Sequence, residues 1–418
     1  MGQIIYQAAI NLFASLIRIA APFNKKIQLG VTGRRNVFEN LQKALAAREG
    51  NKTVAWFHAA SLGEFEQGRP VMEAYKSAYP DHFLLLTFFS PSGYEVRKNY
   101  SGADFVCYLP IDTNANAARF VQIVKPRIAF FIKYEFWLNY LQELKKNGAC
   151  ILSFSSIFRP DQIYFKPQGF LHRDMLAAVD HLFVQNEQSV SMLRKIGITA
   201  CSIAGDTRFD RVKEIASKAR DLPEIAAFTN NETCLVAGSV WEADMQVLIP
   251  VLNRFEAQLK AIIAPHEIKK DEIANWQKQL AGKSVLYSEF HSVTDISAYS
   301  YLIIDNVGML SSLYKYGQMA FIGGAFGVGL HNILEAATFG LPVIFGDRSY
   351  HRFQEAVDLI ALGGAFPVSG SASAEKIIGD FLGNDLGRAA SGRISENYVA
   401  SGTGATEIIM GKVKQIIS

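Results

Sequence analysis

The sequence predicts an α/β protein with two parallel-sheet domains facing each other across a cleft and an N-terminal membrane-associating helix. Three observations predict this: short apolar runs spaced for crossover helices, a polar stretch that divides them into two sets, and an apolar N-terminal segment with a narrow polar stripe. A length of 418 residues, 49% hydrophobic and 19% charged, fits two large packed cores and excludes general disorder. With 42 Lys plus Arg against 39 Asp plus Glu, the net charge of +3 provides no global field for nucleic acid. Cys107, Cys150, Cys201 and Cys234 are scattered without a C-x-x-C pair or zinc-ligand spacing, as suits a reducing cytosol.

The N-terminal segment comes first. From Ile4 to Phe23 the chain is apolar except for Gln7, Asn11, Ser15 and Arg18, and with Gln3 these recur every three or four positions. That spacing draws one polar stripe along a helix. A helix of about 20 residues just crosses a bilayer, and one this amphipathic also suits the interface, with Lys25 and Lys26 near phosphate headgroups. No A-x-A cleavage site follows a short apolar region. A membrane-associating helix is therefore expected over residues 1–24, a buried core helix being the alternative.

Next, Val54–His58, Phe83–Phe88, Phe105–Leu109, Ile128–Ile132, Ala149–Phe154 and His181–Val184 read as buried strands of a first domain, residues 25–215. The polar stretch from Lys213 to Asn231, containing Leu222-Pro223, places a linker at 216–231. The rhythm restarts with Thr233–Ala237, Ala261–Ala264, Val285–Tyr287, Tyr301–Ile304, Met319–Ile322 and Pro342–Phe345 in a second domain, 232–395. A terminal helix at 396–418 is expected to pack back on the first domain. Two Rossmann-like domains around a cleft form the GT-B plan of many glycosyltransferases, with ligands at the carboxyl ends of the strands. The absence of any D-x-D triplet agrees. Two-domain epimerases and periplasmic binding proteins share the same pattern.

After the first strand, Trp56-Phe57-His58-Ala59-Ala60-Ser61-Leu62-Gly63-Glu64 runs into a small-residue turn and a helix. Glu64 then sits near a helix N-terminus at the carboxyl end of a strand, where it is either a general base for a hydroxyl or an ordinary first-turn acid favoured by the helix dipole. A second acidic segment, Lys133-Tyr134-Glu135-Phe136-Trp137-Leu138-Asn139, follows the Ile128–Ile132 strand. In the second half, Met319–Asn332 reads as a strand, a glycine-rich loop and a helix start. Loop amides with a helix dipole behind them hold phosphate without metal. His331, Asn332 and Glu335 follow, Glu335 being placed for ribose hydroxyls, and Gly340 ends the helix.

These segments resemble, in order, the motifs of bacterial Kdo (3-deoxy-D-manno-octulosonic acid) transferases. His58, Ala59, Ser61, Gly63 and Glu64 are similar to H-A-x-S-x-G-E, whose glutamate the family uses as catalytic base. Glu135, Trp137 and Asn139 match E-x-E-x-W-P-N, with Lys133 in place of the first glutamate and Leu138 in place of proline. Gly205–Asp210 resembles G-N-x-K-F-D, with Arg208 at the lysine, and Ala237-Gly238-Ser239 matches A-G-S. Pro265-His266 occupies the P-R-H position, where the nucleobase is expected, without its arginine. Asp305–Leu310 is similar to D-x-x-G-E-L, with Met309 replacing glutamate, and His331, Asn332 and Glu335 cover G-G-x-N-x-x-E.

The resemblance implies inverting, metal-independent transfer of Kdo from CMP-Kdo to a lipid A precursor at the cytoplasmic side of the inner membrane. Glu64 is then the base, and Ser61, Gly63 and Glu135 bind the acceptor or support the base. Arg208, Pro265, His266, Gly308, Met309, Leu310, Gly324, His331, Asn332 and Glu335 hold the donor. Arg69, Arg208 and Lys133 are the candidate cations for the Kdo carboxylate. No cofactor and no nucleic acid are expected. The rival readings are another GT-B nucleotide-sugar transferase, a UDP-sugar epimerase, or a non-catalytic lipid-binding protein.

Overall fold

A computed structural model describes residues 2–47, 50, 52–327 and 329–417. Val328, in the stretch read as a glycine-rich loop, and the first and last residues of the segments expected as helices at 1–24 and 396–418 lie outside the described residues. The chain forms two compact units, Met1–Arg211 with Thr403–Ser418, and Val212–Gly402.

The first unit holds strands β1 (Val54–Ala59), β2 (Phe83–Phe88), β3 (Phe105–Tyr108), β4 (Ile128–Ile132), β5 (Cys150–Ser156), β6 (His181–Val184) and β7 (Cys201–Ile203). They pair in the order β3-β2-β1-β4-β5-β6-β7, every pairing parallel. β1, β2 and β4 are buried along their whole length. A parallel sheet covered on both faces requires this, which is why these strands read as unbroken apolar runs. Trp56, Leu85 and Phe131 pack on one face with Leu41 and Phe120. Phe57, Leu86 and Phe130 pack on the other with Tyr75, Ile409 and Val413.

Ile409 and Val413 belong to the helix Ala405–Ile417, so the chain's last helix is built into the first unit's core. Asp210 pins its start by accepting from the Gly404 and Thr406 N–H groups, both at 2.7 Å.

The second unit holds β8 (Cys234–Val240), β9 (Lys260–Pro265), β10 (Ser284–Leu286), β11 (Tyr301–Ile303), β12 (Met319–Ile322), β13 (Val343–Gly346) and β14 (Ala365–Val368), in the parallel order β10-β11-β9-β8-β12-β13-β14. The strands that the apolar pattern does not reveal, β7 and β14, are the last of each unit and lie at sheet edges. β7 carries Ser202 and an exposed Ile203, and β14 carries Pro367, which an edge tolerates because one side of it has no ladder to donate to. The segment expected as linker contains a helix, Pro223–Thr229, with Ile225 and Phe228 buried in the second unit. Proline at its first position pre-sets the helical φ.

Among the helices of the first unit, three precede β1, namely α1 (Gly2–Ala20), α2 (Lys25–Gly33) and α3 (Val37–Ala46), and α4 (Leu62–Ala78) follows it. The polar stripe of α1 does not simply face solvent. Gln7 turns inward to donate to Asn139 Oδ1 (2.5 Å), beside Tyr6, whose hydroxyl donates to Asp112 Oδ2 (2.7 Å). Ile4, Ile5, Leu12, Leu16 and Ile19 are exposed, and Phe23 just beyond is 88% exposed. An amide is costly to bury alone, so Gln7 finds its partner at the helix's seam, while Gln3, Asn11, Ser15 and Arg18 stay exposed beside the apolar arc.

Candidate active site

In the first unit the strand order reverses between β1 and β4, and the segments leaving those two strands carry Glu64 and Glu135. Such a switch point leaves a crevice at the carboxyl ends of the strands. α4 begins after Ser61, whose backbone is extended, and Glu64 in its first turn reaches back. Its Oε2 accepts from the Ala60 N–H (2.5 Å) and the Ser61 N–H (3.2 Å). Among the described residues no hydrogen bond reaches its Oε1. Glu64 is thus both a first-turn cap and a fixed carboxylate with one oxygen open to chemistry.

Burial raises the Glu64 pKa, against the Ala60 amide, the Lys133 charge and the Ser61 amide. Lys133 takes a left-handed backbone, φ 60°, and its carbonyl accepts from the hydroxyls of Ser153 (3.1 Å) and Ser156 (2.6 Å). A non-glycine residue in that region costs about 1–3 kcal/mol and persists only where the surroundings hold it.

Glu135 is more strongly perturbed. Burial, then the Glu64 charge, push its pKa up to about 8, while Trp137 opposes. Its Oε2 lies 3.9 Å from His58 Nε2. His58 is fully buried, Nδ1 sits 2.9 Å from Thr87 Oγ1, and burial brings its pKa down to about 3, so the ring is neutral. A neutral Glu135 against a neutral imidazole places no second negative charge on Glu64, which favours Glu64 as the ionised member of the pair, because two interacting carboxylates cannot both ionise cheaply.

Because the folded chain holds the Glu135 proton up to about pH 8 against an ordinary 4.5, this group erodes stability as pH rises through that window, and the loss levels off above it. Glu135→Gln keeps the neutral shape. Its melting temperature is expected to exceed the wild type's by a margin that grows from pH 4.5 to about 8, and parallel pH profiles of the two proteins would contradict this.

The cations expected for a substrate carboxylate are partnered within the first unit. Arg69 Nε lies 2.7 Å from Glu73 Oε1. Arg208 donates from Nε to Asp206 Oδ2 (2.9 Å), and its second terminal nitrogen lies 2.8 Å from the same oxygen. Although burial works the other way, Arg208 holds the Asp206 pKa down. Arg208 is a residue of the first unit, whereas the other expected donor residues belong to the second. Asn139, matched with the acidic segment, is structural: its backbone N–H donates to Asp112 Oδ2 (3.1 Å).

In the second unit the order reverses between β8 and β12. The glycine-rich loop after β12 differs from expectation. The Gly324 N–H donates to Asp244 Oδ2 (2.9 Å), Gly323 N–H to Gly238 O (3.0 Å), and Gly327 and Gly329 N–H to Gly324 O (3.0 and 2.9 Å). The Gly323 and Gly324 amides are thus taken by β8 and Asp244, and those of Gly327 and Gly329 by the loop itself, where the Gly324 assignment expected amides free for phosphate. A Cβ on Gly323 would lie 2.3 Å from Ser239 O, so close backbone packing accounts for that glycine. After β11, the N–H groups of Gly308, Met309 and Leu310 have no acceptor among the described residues. Met309 is buried and gives no charge where the family has glutamate.

Asn332 and Glu335 form a pair, Nδ2 to Oε1 3.1 Å, beside a short helix Leu334–Ala337 that starts later than expected. Pro265 ends β9, and the next residue, His266, stacks between Trp241 and His331 at 4.4 Å from each ring. Trp241 Nε1 donates to His331 Nε2 (3.1 Å), and burial, then His266, bring the His331 pKa down to about 4. Trp241 and Asp244 escaped the sequence reading. Asp244 stands three residues after Trp241 at the head of a helix, a capping-box spacing that marks it, whereas nothing local marks Trp241 as a stacking platform.

The family model described as 3-deoxy-D-manno-octulosonic-acid transferase (kdotransferase) matches residues 35–211. A 3-deoxy-D-manno-octulosonic acid transferase of Chlamydophila psittaci is 26% identical over 322 residues, covering 75% of this chain and 74% of the relative. The transferase of the same description from Aquifex aeolicus is 24% identical over 319 residues, covering 75% and 81%. Among solved structures, a UDP-GlcNAc 2-epimerase from Neisseria meningitidis aligns with a TM-score of 0.61 at 14% identity, covering 87% of this chain and all of that one, a likeness of fold.

Proposed function

We propose, from the premise that this chain belongs to the Kdo transferase family, that it moves Kdo from CMP-Kdo to a glucosamine hydroxyl of a lipid A precursor with inversion at the anomeric carbon. The observation that carries the reading is the Glu64–Glu135 pair at the β1/β4 switch point, one oxygen of Glu64 open and Glu135 holding a proton near neutral pH. Glu64 takes the hydroxyl proton as the oxygen attacks the anomeric carbon, and CMP departs from the opposite face. The leaving phosphate needs charge stabilisation more than a proton, which the unpaired amides of Gly308, Met309 and Leu310 supply. Trp241, His266 and His331 offer a stacking surface for the base. The exposed arc of α1 rests in the cytoplasmic leaflet of the inner membrane and keeps the enzyme beside an acceptor that never leaves the bilayer.

Incubating the purified protein with CMP-Kdo and lipid A precursor is expected to release CMP and to add one or more Kdo masses to the acceptor. Turnover of a UDP-sugar in its place would point to the rival transferase or epimerase, and acceptor that binds without modification would point to a lipid-binding protein.

Gly63 adds a second expectation. It is exposed, has no positive φ, and an added Cβ would meet nothing within 4 Å, so neither packing nor backbone geometry demands glycine in the first turn of α4. Gly63→Ala is expected to leave stability unchanged or raise it by up to about 1 kcal/mol, while increasing KM for the acceptor that approaches Glu64. An unchanged acceptor KM would mean that the open space at Gly63 is not used.

A further inference from the structure

Two grooves in the first unit meet beneath α1. The smaller, about 290 Å3, is walled by Phe13 and Ile17 of α1, Ile27 and Val31 of α2, and Phe89 and Pro91 beyond β2. The larger, about 650 Å3, is lined by Arg18, Arg34 and Arg35 among apolar and uncharged polar residues, with no acidic side chain among the described residues of its lining. Ile17, Val31, Arg34 and Ile111 line both.

Arg34 is an unusual cation. Nε donates to Leu109 O (2.8 Å), one terminal nitrogen to Gly30 O (2.8 Å) and the other to Phe89 O (2.5 Å), and the guanidinium lies between the rings of Phe89 and Tyr108 at 4.9 and 4.8 Å. No carboxylate is among these contacts. Hydrogen bonds to carbonyls satisfy its protons but do not neutralise its charge, and a half-buried cation without a counter-ion is destabilising until an anion arrives.

The apolar groove is joined to the catalytic turn. The Ser90 N–H, within the groove's wall, donates to Ala60 O (2.7 Å), and a Cβ on Gly93 would lie 3.1 Å from the Ser61 carbonyl carbon. Phe89 stacks on Phe13 at 6.4 Å and on Trp137 at 4.8 Å, which makes an aromatic path from α1 to the Glu135 segment. An apolar slot beside the Glu64 turn, continuous with a slot of three arginines and no acids, is complementary to a molecule that is at once acylated and anionic.

We propose that the two grooves are subsites for the acceptor, the smaller taking one of its acyl chains and the larger one of its phosphate groups. This rests on the reading of the acceptor as an acylated, phosphorylated glucosamine lipid. The exposed apolar arc of α1 meets the bilayer, and the grooves on its other side take the lipid drawn from it.

The test uses the full-length protein in detergent micelles, with saturating CMP-Kdo and three acceptors: the acylated, phosphorylated lipid A precursor, its deacylated counterpart and its dephosphorylated counterpart. Ile27→Trp fills the smaller slot from a residue that lines it and not the larger groove, and that lies outside the catalytic groups. It is expected to raise KM for the acylated acceptor by about tenfold or more with kcat unchanged, and to leave KM for the deacylated acceptor and for CMP-Kdo as in the wild type, the pattern of lost uniform binding. The double variant Arg18→Glu, Arg35→Glu is expected to raise KM for the phosphorylated acceptor and not for the dephosphorylated one.

Unchanged KM for the acylated acceptor, or an equal rise for the deacylated one, would overturn the proposal. So would variants that lose only their binding to anionic phospholipid vesicles, since the grooves would then serve bulk lipid. A wild-type protein that modifies none of the acceptors removes the premise and the inference together, whereas normal wild-type transfer with an insensitive Ile27→Trp removes the inference alone.

Discussion

Glu64→Gln is expected to lower Kdo transfer by about 10²–10⁴-fold, the usual contribution of a positioned general base, in a protein that folds as the wild type does. The geometry separates the two duties of this side chain. Oε2 caps α4 by accepting from the Ala60 and Ser61 amides, and a glutamine carbonyl oxygen accepts the same two hydrogen bonds. The fold should therefore survive. What glutamine lacks is a lone pair basic enough to take the acceptor's proton.

Removing the Glu64 charge also removes one cause of the elevated Glu135 pKa, so Glu135 should ionise at lower pH in the variant. Single-turnover assays would show the lost chemistry, CMP-Kdo affinity should be retained, and thermal melts would show an intact fold. Turnover near the wild-type rate would end the assignment of Glu64 as base.

The second large effect is expected on stability. Gly324 has φ 94°, its N–H donates to Asp244, and a Cβ there would stand 2.3 Å from Gly329 O and 2.9 Å from His331 Cδ2. Gly324→Ala thus combines a left-handed backbone, worth about 1–3 kcal/mol, with a clash against backbone that cannot move aside, worth a further 1–3 kcal/mol or so. For a unit of this size that corresponds to a fall in melting temperature of roughly 5–20 °C. The displaced loop would also carry His331 away from Trp241 and weaken donor binding. Gly327 is the control: a Cβ there meets nothing within 4 Å, and Gly327→Ala should melt within a few degrees of the wild type. Equal melting of Gly324→Ala and wild type would show that the loop relaxes around the added atom.

Some of the molecule is written locally. Strands such as Phe83–Phe88 and Ile128–Ile132 are legible because a sheet covered on both faces demands unbroken apolar runs. The helix from Gly2 is legible because a polar residue every third or fourth position has one simple meaning. Glu64, three residues past a capping serine at the end of a strand, belongs to the same class of local signal. Edge strands are not legible in this way. β7 and β14 are short, and one side of each is unpaired, so they need no apolar run to survive.

What the sequence determined by itself, then, is the α/β class, the division into two sheets, the apolar helix at the start and the carboxylate at the head of α4. Each of these follows from periodicity or capping within a short window. Tertiary structure alone decided that Glu135 lies against His58, that Gln7 turns inward to Asn139 and that Asp244 occupies the amide of Gly324. These contacts join residues far apart in the chain. They exist because β4 pairs with β1 and β12 with β8, and that strand order comes from burying all the apolar faces at once rather than from any one segment.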